Sequence, residues 1–376
     1  MRREHRYVLR TGIGLLALAV LVIVGGFYDV SARAGHWSAT AWLLHFTMRQ
    51  SARAHSLTID VPVLDEPERI VRGAGHYAVG CAPCHGSPAD RAPRLSDHMT
   101  PDAPELAPLV DGWRLRELFW VVDNGIKYTG MPAWLTPHRP DEVWDVVAFL
   151  RVLSRLDAGE YADLVDRTRA PAARLAEAEE RVFAAVLAEC AICHGYDGHA
   201  GAKRAYPVLA QQNESYLRAS LAAYAGAERA SGTMQLMAQS LDAGLRERLA
   251  RYYAAQPSPD SLAVPADDGE RAALVAEGAR IAAAGLPSRG VPDCNHCHGE
   301  PPVARSPMIP RLAGQPAGYL RTQLELWRDG QRGGTVYAPI MTEIADELEP
   351  REIEALAAYY AVLPRVELRE TLPDGR

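Results

Sequence analysis

The chain has 376 residues, 48% hydrophobic and 23% charged, with a net charge of −7. That composition is globular, so a disordered chain is excluded, and the length suits two to four domains. The acidic balance excludes a basic nucleic-acid surface, and a single stretch apolar enough to span a bilayer excludes a multi-span transporter.

At the N-terminus Arg2, Arg3, Arg6 and Arg10 precede an uncharged run over residues 12–28. This pattern predicts a transmembrane helix with its N-terminus inside and the rest of the chain exported. The rival is a cleavable signal, because Ala32-Arg33-Ala34 sets small residues at suitable offsets. Residues 36–55 follow, where Trp37, Trp42 and Phe46 with Arg49 and Arg53 suit a helix at headgroup level, or else a stalk helix packed on the first domain. Seven Arg against Glu4 and Asp29 give residues 1–56 a charge of +5, leaving −12 on the remainder. An acidic exported face suits a basic patch on a protein partner better than nucleic acid.

All six cysteines fall in one pattern used three times: Cys81-Ala-Pro-Cys84-His85, Cys190-Ala-Ile-Cys193-His194 and Cys294-Asn-His-Cys297-His298. C-x-x-C-H is the attachment signature of c-type haem. Two thiols add to the vinyl groups on one porphyrin edge, and the adjacent His supplies an axial nitrogen. Zinc would need two close pairs and no His after each, yet the pairs here are 109 and 104 residues apart. Disulfides or a thioredoxin-like pair do not call for the His either, and three such coincidences have odds of roughly one in 30,000 in an uncorrelated chain. Haem attachment also requires export, which agrees with the anchor.

The spacing predicts three copies of one domain. The last two align at an offset of 103, from Pro207-x-Leu209-Ala210-x-Gln212 and Tyr216-Leu217 onto Pro310-x-Leu312-Ala313-x-Gln315 and Tyr319-Leu320, and on through Arg229 and Arg332. Each copy reads as helix, haem motif, irregular loop, helix, Met loop, closing helix. Closing helices are expected over 140–153, 246–256 and 350–363, the first with Pro140 in its first turn and Asp141 and Glu142 near the positive helix end. Gly73 and Gly75 permit close helix contact before the first haem motif. The expected division is 1–56 anchor and interfacial helix, 57–157 first domain, 158–172 linker, 173–257 second domain, 258–267 linker and 268–376 third domain. A porphyrin plate completes the modest core of each domain of about 100 residues, so no sheet is needed.

The opposite face of each iron decides the chemistry: a second protein ligand makes a carrier, and an open position permits O₂, peroxide or CO chemistry. His85, His194 and His298 are the proximal candidates. Met131, Met234 and Met341 are the distal candidates, 40–46 residues beyond their haem His. A lone Met ordinarily packs a core, but this recurrence favours ligation. Met99 competes with Met131; Met237 competes with Met234, which the register M-x-x-x-A-x-x-L pairs with Met341. Met308 is expected to pack on the proximal side. The carbonyls of Pro207 and Pro310, with Pro104 as the first-domain counterpart, suit the axial imidazole protons. Tyr216, Tyr319, Arg229 and Arg332 are candidates for the haem propionates, the alternative being helix packing. His296 is expected to point outward, and His76, His98, His138 and His199 to serve surface or packing roles.

These motifs resemble the class I c-type cytochromes. Residues 173–364 resemble the two-haem class I family, carried by Cys190, Cys193, His194, Pro207-x-Leu-Ala-x-Gln, Tyr216-Leu, Met234 and their third-copy equivalents. Residues 1–157 resemble a membrane-anchored single-haem cytochrome, carried by the anchor, HWSATAWLL and the NGIKYTGMPAW loop. The short Met234 loop departs from the family pattern. The resemblance implies an all-α fold of three tandem class I cytochrome c domains behind an N-terminal transmembrane helix. It implies three covalent haem c groups, held by Cys81, Cys84, Cys190, Cys193, Cys294 and Cys297. It also implies a periplasmic carrier tethered to the cytoplasmic membrane, passing electrons from a quinol-oxidising complex to a terminal oxidase. The alternatives are the cytochrome subunit of an alcohol, aldehyde or sugar-acid dehydrogenase, and a haem peroxidase with an open iron at the Met234 site.

Overall fold

The computed structural model describes residues 3–89, 95–136, 138–165, 178–200, 205–257, 269–299 and 306–365. Among these residues the regular elements are helices, with isolated antiparallel bridges between Arg229 and Arg332 and between Leu286 and Val291. The expected all-α class holds for them.

Helix α1 (Arg3–Val24) is apolar from His5 to Val24, with a mean hydropathy of 2.3 and none of that stretch buried. It ends before Gly25-Gly26, where Gly26 takes φ +69, so the helix starts before the uncharged run and stops short of its end at residue 28. Helix α2 (Ser38–His55) divides in two. Its C-terminal half docks: Arg49 lies 3.9 Å over the Trp113 ring and donates to the Gly112 carbonyl, and His55 stacks on Trp120. Its N-terminal half leaves Trp37, Trp42 and Phe46 exposed. The stalk reading thus describes one half and the exposed aromatic face the other.

A first helical group follows: α3 (Pro67–Gly80), α4 (Ala82–His85), α5 (Leu115–Asn124), α6 (Pro140–Leu153) and α7 (Ala158–Leu164). α3 crosses α6 at Gly73, where a Cβ would fall 1.9 Å from the Asp145 carbonyl oxygen, so only glycine fits. The buried Asp145 carboxylate beside this crossing is paired with Arg69 at 3.0 Å and Arg72 at 2.6 Å. Tyr77, Phe149 and Tyr161 fill the core, and burying a ring such as Phe149 contributes about 1.5–3 kcal/mol. The expected linker over 158–172 begins instead as α7. Asp157 caps it by accepting from the Glu160 N–H at 2.9 Å, and Tyr161 and Val165 drop fully into the first core. The rest of that segment, and the expected linker 258–267, lie outside the described residues.

The second group is α8 (Ala178–His194), α9 (Glu214–Ala225), α10 (Gly232–Gln239) and α11 (Ala243–Ala254), around Phe183, Leu187, Leu217, Leu249 and Tyr253. α11 starts three residues earlier than expected because Asp242 accepts from the Leu245 N–H at 2.8 Å. The third group is α12 (Gly269–Ala284), α13 (Asn295–His298), α14 (Ala317–Arg328), α15 (Ala338–Asp346) and α16 (Pro350–Val362). The expected closing helices over 140–153 and 350–363 appear as α6 and α16. Two expected Met loops are helices. Met234 lies on α10, whose cap Ser231 accepts from the Met234 N–H at 3.1 Å, and Met341 lies on α15, with Pro339 in its first turn.

Candidate haem sites

C-x-x-C-H places its cysteines at i and i+3 and its His at i+4, and one helical turn gathers these on one face. Each motif has that turn. The His85 N–H donates to the Cys81 carbonyl at 2.8 Å, the His298 N–H to the Cys294 carbonyl at 2.9 Å, and 190–194 close α8. None of the six cysteines is in a disulfide. Burial pushes the Cys81, Cys190 and Cys193 thiols up to about 12 and Cys294 to about 11, so these four are protonated near pH 7. Among the described residues no cluster of three or more His, Cys, Asp or Glu is placed to hold a metal ion.

Each motif His faces a proline carbonyl: His85 Nδ1 to Pro104 O at 2.9 Å, His194 Nδ1 to Pro207 O at 3.2 Å, and His298 Nδ1 to Pro310 O at 2.9 Å. A carbonyl only accepts, so each Nδ1 carries the proton and each Nε2 keeps its lone pair. Burial lowers His194 to about 4 and lowers His298 as well, which keeps both rings neutral near pH 7.

Met131 sits in a loop tied by Thr129 Oγ1, which donates to the Ile126 carbonyl at 2.7 Å and accepts from the Met131 N–H at 3.1 Å. A Cβ at Gly130 would stand 3.0 Å from Met99 Sδ, so the competing sulfur belongs to the same cluster of loops. Met234 and Met237 share α10, and Met341 is half-buried on α15. His98, His138 and His296 are exposed. His199 Nε2 donates to the Pro257 carbonyl at 2.8 Å, and His76 packs between the first and second groups.

The 103-residue repeat becomes a two-fold arrangement between the second and third groups. Gln315 accepts from the Val208 N–H at 2.9 Å and donates to the Val208 carbonyl at 2.8 Å. Gln212 makes the matching pair with the N–H (2.8 Å) and carbonyl (3.0 Å) of Arg311. Along the same interface Arg229 donates to Tyr319 and Gln323, and Arg332 donates to Tyr216 at 3.0 Å. The two guanidiniums are 4% and 7% exposed, and among the described residues neither has a carboxylate partner. Burial and the neighbouring Arg229 push Arg332 down. Burial opposes ionisation of the Tyr216 phenol, but the two guanidiniums outweigh it and bring the group to about 8. Two buried like charges side by side are costly; Arg229 lies 4.6 Å over the Tyr224 ring and Arg332 3.6 Å over the Trp327 ring, which offsets part of that cost, and the pair would suit an anionic group.

The first and second groups meet at Gly75, where a Cβ would fall 2.1 Å from Tyr206 Oη and 2.8 Å from Cys193 Sγ. Tyr206 donates to the Val71 carbonyl at 2.7 Å, and its ring lies against His194. Ile192 and Cys193 pack into the same apolar cluster as Cys81 and Ala82. Cys81 lies six residues beyond Gly75, or about 9 Å along α3, so the first and second motifs are close neighbours. Sequence reasoning missed Tyr206, Gln212, Gln315 and Glu142 as contact residues. The repeated Gln was a usable signal, whereas the others had none.

Helical turns that gather two thiols and a neutral imidazole describe a c-type haem protein. A family model described as cytochrome c oxidase, cbb3-type, subunit III, matches residues 68–150. The chain is 34% identical over 177 residues, 47% of its length and 79% of the relative's, to the thiosulfate dehydrogenase electron acceptor of Thiomonas intermedia (strain K12). It is 32% identical over 183 residues, 46% of its length and 83% of the relative's, to cytochrome c4 of Stutzerimonas stutzeri. The solved structure of reduced recombinant cytochrome c4 from Pseudomonas stutzeri aligns at 29% identity over 49% of this chain and 97% of that one, with a TM-score of 0.43. The chain belongs to the class I c-type cytochrome family. It is an electron-transfer protein, a carrier rather than an enzyme, and covalent haem c comes with the family. The residues fit that group: with Nδ1 held by a proline carbonyl, each Nε2 lone pair suits an axial site, and the buried Arg229 and Arg332 would suit propionates.

Proposed function

We propose that the chain is a three-haem relay tethered to the cytoplasmic membrane by α1, with its haem domains in the periplasm. In this reading Cys81 and Cys84, Cys190 and Cys193, and Cys294 and Cys297 each hold one haem. His85, His194 and His298 supply the proximal nitrogens, and Met131, Met234 and Met341 the distal sulfurs. The observation that carries the reading is the threefold recurrence of one geometry, a C-x-x-C-H turn whose His Nδ1 is held by a proline carbonyl. Bound haem supplies the change of oxidation state, and thioether ligation favours Fe(II) and a high potential. The chain's own residues fix position. Gly75 lets α3 lie against Cys193, and Gln212 and Gln315 lock the second group to the third, so neighbouring haems stay within short reach.

Electrons would pass from a quinol-oxidising complex to a terminal oxidase, in keeping with the oxidase-subunit family matched by residues 68–150. A second reading, with a dehydrogenase as donor, is favoured by the relative named as a thiosulfate dehydrogenase electron acceptor. Co-purification of the tagged chain from native membranes in mild detergent separates the two. Haem–copper oxidase subunits are expected with it, and recovery of a dehydrogenase alone would replace the first reading with the second.

A further inference from the structure

The Met-bearing helix of the second group is held by the first group. α10 begins at Gly232, and its first N–H has no partner within its own helix. Glu142, in the first turn of α6, supplies one. Its Oε2 accepts from the Gly232 N–H at 2.6 Å and from Trp134 Nε1 at 3.2 Å. Its Oε1 accepts from Ser231 Oγ at 2.6 Å, and the same Ser231 hydroxyl accepts from the Met234 N–H. Arg139 completes the clamp, pairing with Glu142 at 2.9 Å and donating to the Ala230 carbonyl at 2.9 Å. Trp134 lies flush on Gly232, where a Cβ would fall 2.3 Å from Trp134 Nε1, and His76 Nδ1 lies 2.5 Å from Thr233 Oγ1. Four side chains of the first group thus converge on residues 230–233, immediately before Met234.

The carboxylate is 4% exposed and takes four donors, so both its oxygens are satisfied. It also stands at the positive end of α10, where a negative charge is favourable. The third group carries no such clamp among the described residues. Its α15 starts at Ala338 with Pro339 in the first turn, and the chain from His298 to Met341 is three residues longer than that from His194 to Met234. The shorter distal segment of the second site is braced by a carboxylate from outside, immediately before its Met.

We propose that Glu142, acting through Ser231, is a positioning residue for the distal sulfur of the second haem, so that docking of the first group sets the axial ligation of its neighbour. This rests on the reading of α10 as the sulfur carrier, and holds whether Met234 or Met237 is the ligand. Gln at position 142 keeps the shape and loses the charge: its amide nitrogen cannot accept, so at least one of the four donors is stranded. Glu142→Gln then frees α10 from the first group, and Ser231→Ala cuts the same link from the other side.

The test uses the full-length holoprotein and two readouts: the weak red charge-transfer absorption of thioether-ligated ferric haem, and the resolved midpoint potentials. Glu142→Gln and Ser231→Ala are each expected to lose the contribution of one haem, roughly a third of that absorption, and to lower one of the three potentials while the others stay. Val147→Ala, a cavity on the same α6 facing the first core, is expected to change neither. The proposal is overturned if Glu142→Gln keeps the full absorption and all three potentials, or if Val147→Ala produces the same loss. Met234→Ala and Met237→Ala test the underlying reading separately: if neither reduces the absorption, α10 carries no ligand, and that reading fails rather than the clamp.

Discussion

Gly75→Ala sets two forces of opposite sign against each other. Inside a helix, alanine is favoured over glycine by about 1 kcal/mol, so α3 taken alone becomes more stable. The contact with the second group predicts the reverse. The new methyl would stand 2.1 Å from Tyr206 Oη and 2.8 Å from Cys193 Sγ. Relief requires the buried Tyr206 hydroxyl to retreat by more than 1 Å, which breaks its bond to the Val71 carbonyl. Loss of that bond costs about 1–3 kcal/mol and overpacking another 1–3 kcal/mol. Net of the helix term, the variant should be destabilised by about 1–5 kcal/mol. Denaturant unfolding of the holoprotein, followed by far-ultraviolet circular dichroism, gives the sign. Tyr206→Phe in the same chain should recover part of the loss non-additively, because it removes the clashing oxygen. A Gly75→Ala protein more stable than the parent would mean that the first and second groups do not pack as described, and the short path between their motifs would go with it.

Three other outcomes follow from the same contacts. If Arg332 pairs with a propionate as proposed, Arg332→Met should destabilise the holoprotein by about 3–5 kcal/mol and lower the potential of the adjacent haem, because a buried anion is left without its cation; stabilisation would show that the guanidinium had no counter-charge. Gln212→Ala and Gln315→Ala each remove two bonds to buried backbone and should cost about 2–4 kcal/mol in equilibrium unfolding; unequal losses would break the two-fold account. Burial raises the Asp141 carboxyl, but the two bonds from Arg139 outweigh it and hold the group below its ordinary value of 3.8. Its contribution is therefore fully present above that value and is lost as pH falls through the depressed one, so Asp141→Asn should make the acid limb of a stability–pH profile shallower below about pH 4.

The haem motifs were legible because their chemistry demands a fixed local spacing that one helical turn satisfies. The proline carbonyls and the Arg229–Arg332 pair were legible as candidates because a 103-residue repeat marks equivalent positions. The contacts between groups were not. Glu142 reads in sequence as an acid placed to suit the helix dipole, and nothing local shows that it turns to Ser231, 89 residues away. Tyr206 has Ile309 at the repeat-equivalent position, so the repeat hides it. The helical start of the expected linker was readable after all, since Asp157-x-x-Glu160 is a capping box. Two of the three Met segments are helices because Ser231 and Pro339 are helix-start signals, whereas Met131 stays in a loop.

The central claim is one haem on each motif. Covalent haem survives denaturation, so the intact mass of the purified chain under denaturing conditions counts the groups directly. The account predicts a mass raised by three haems, falling to two when Cys190 and Cys193 are both replaced by alanine. A wild-type chain carrying two haems or fewer would contradict it.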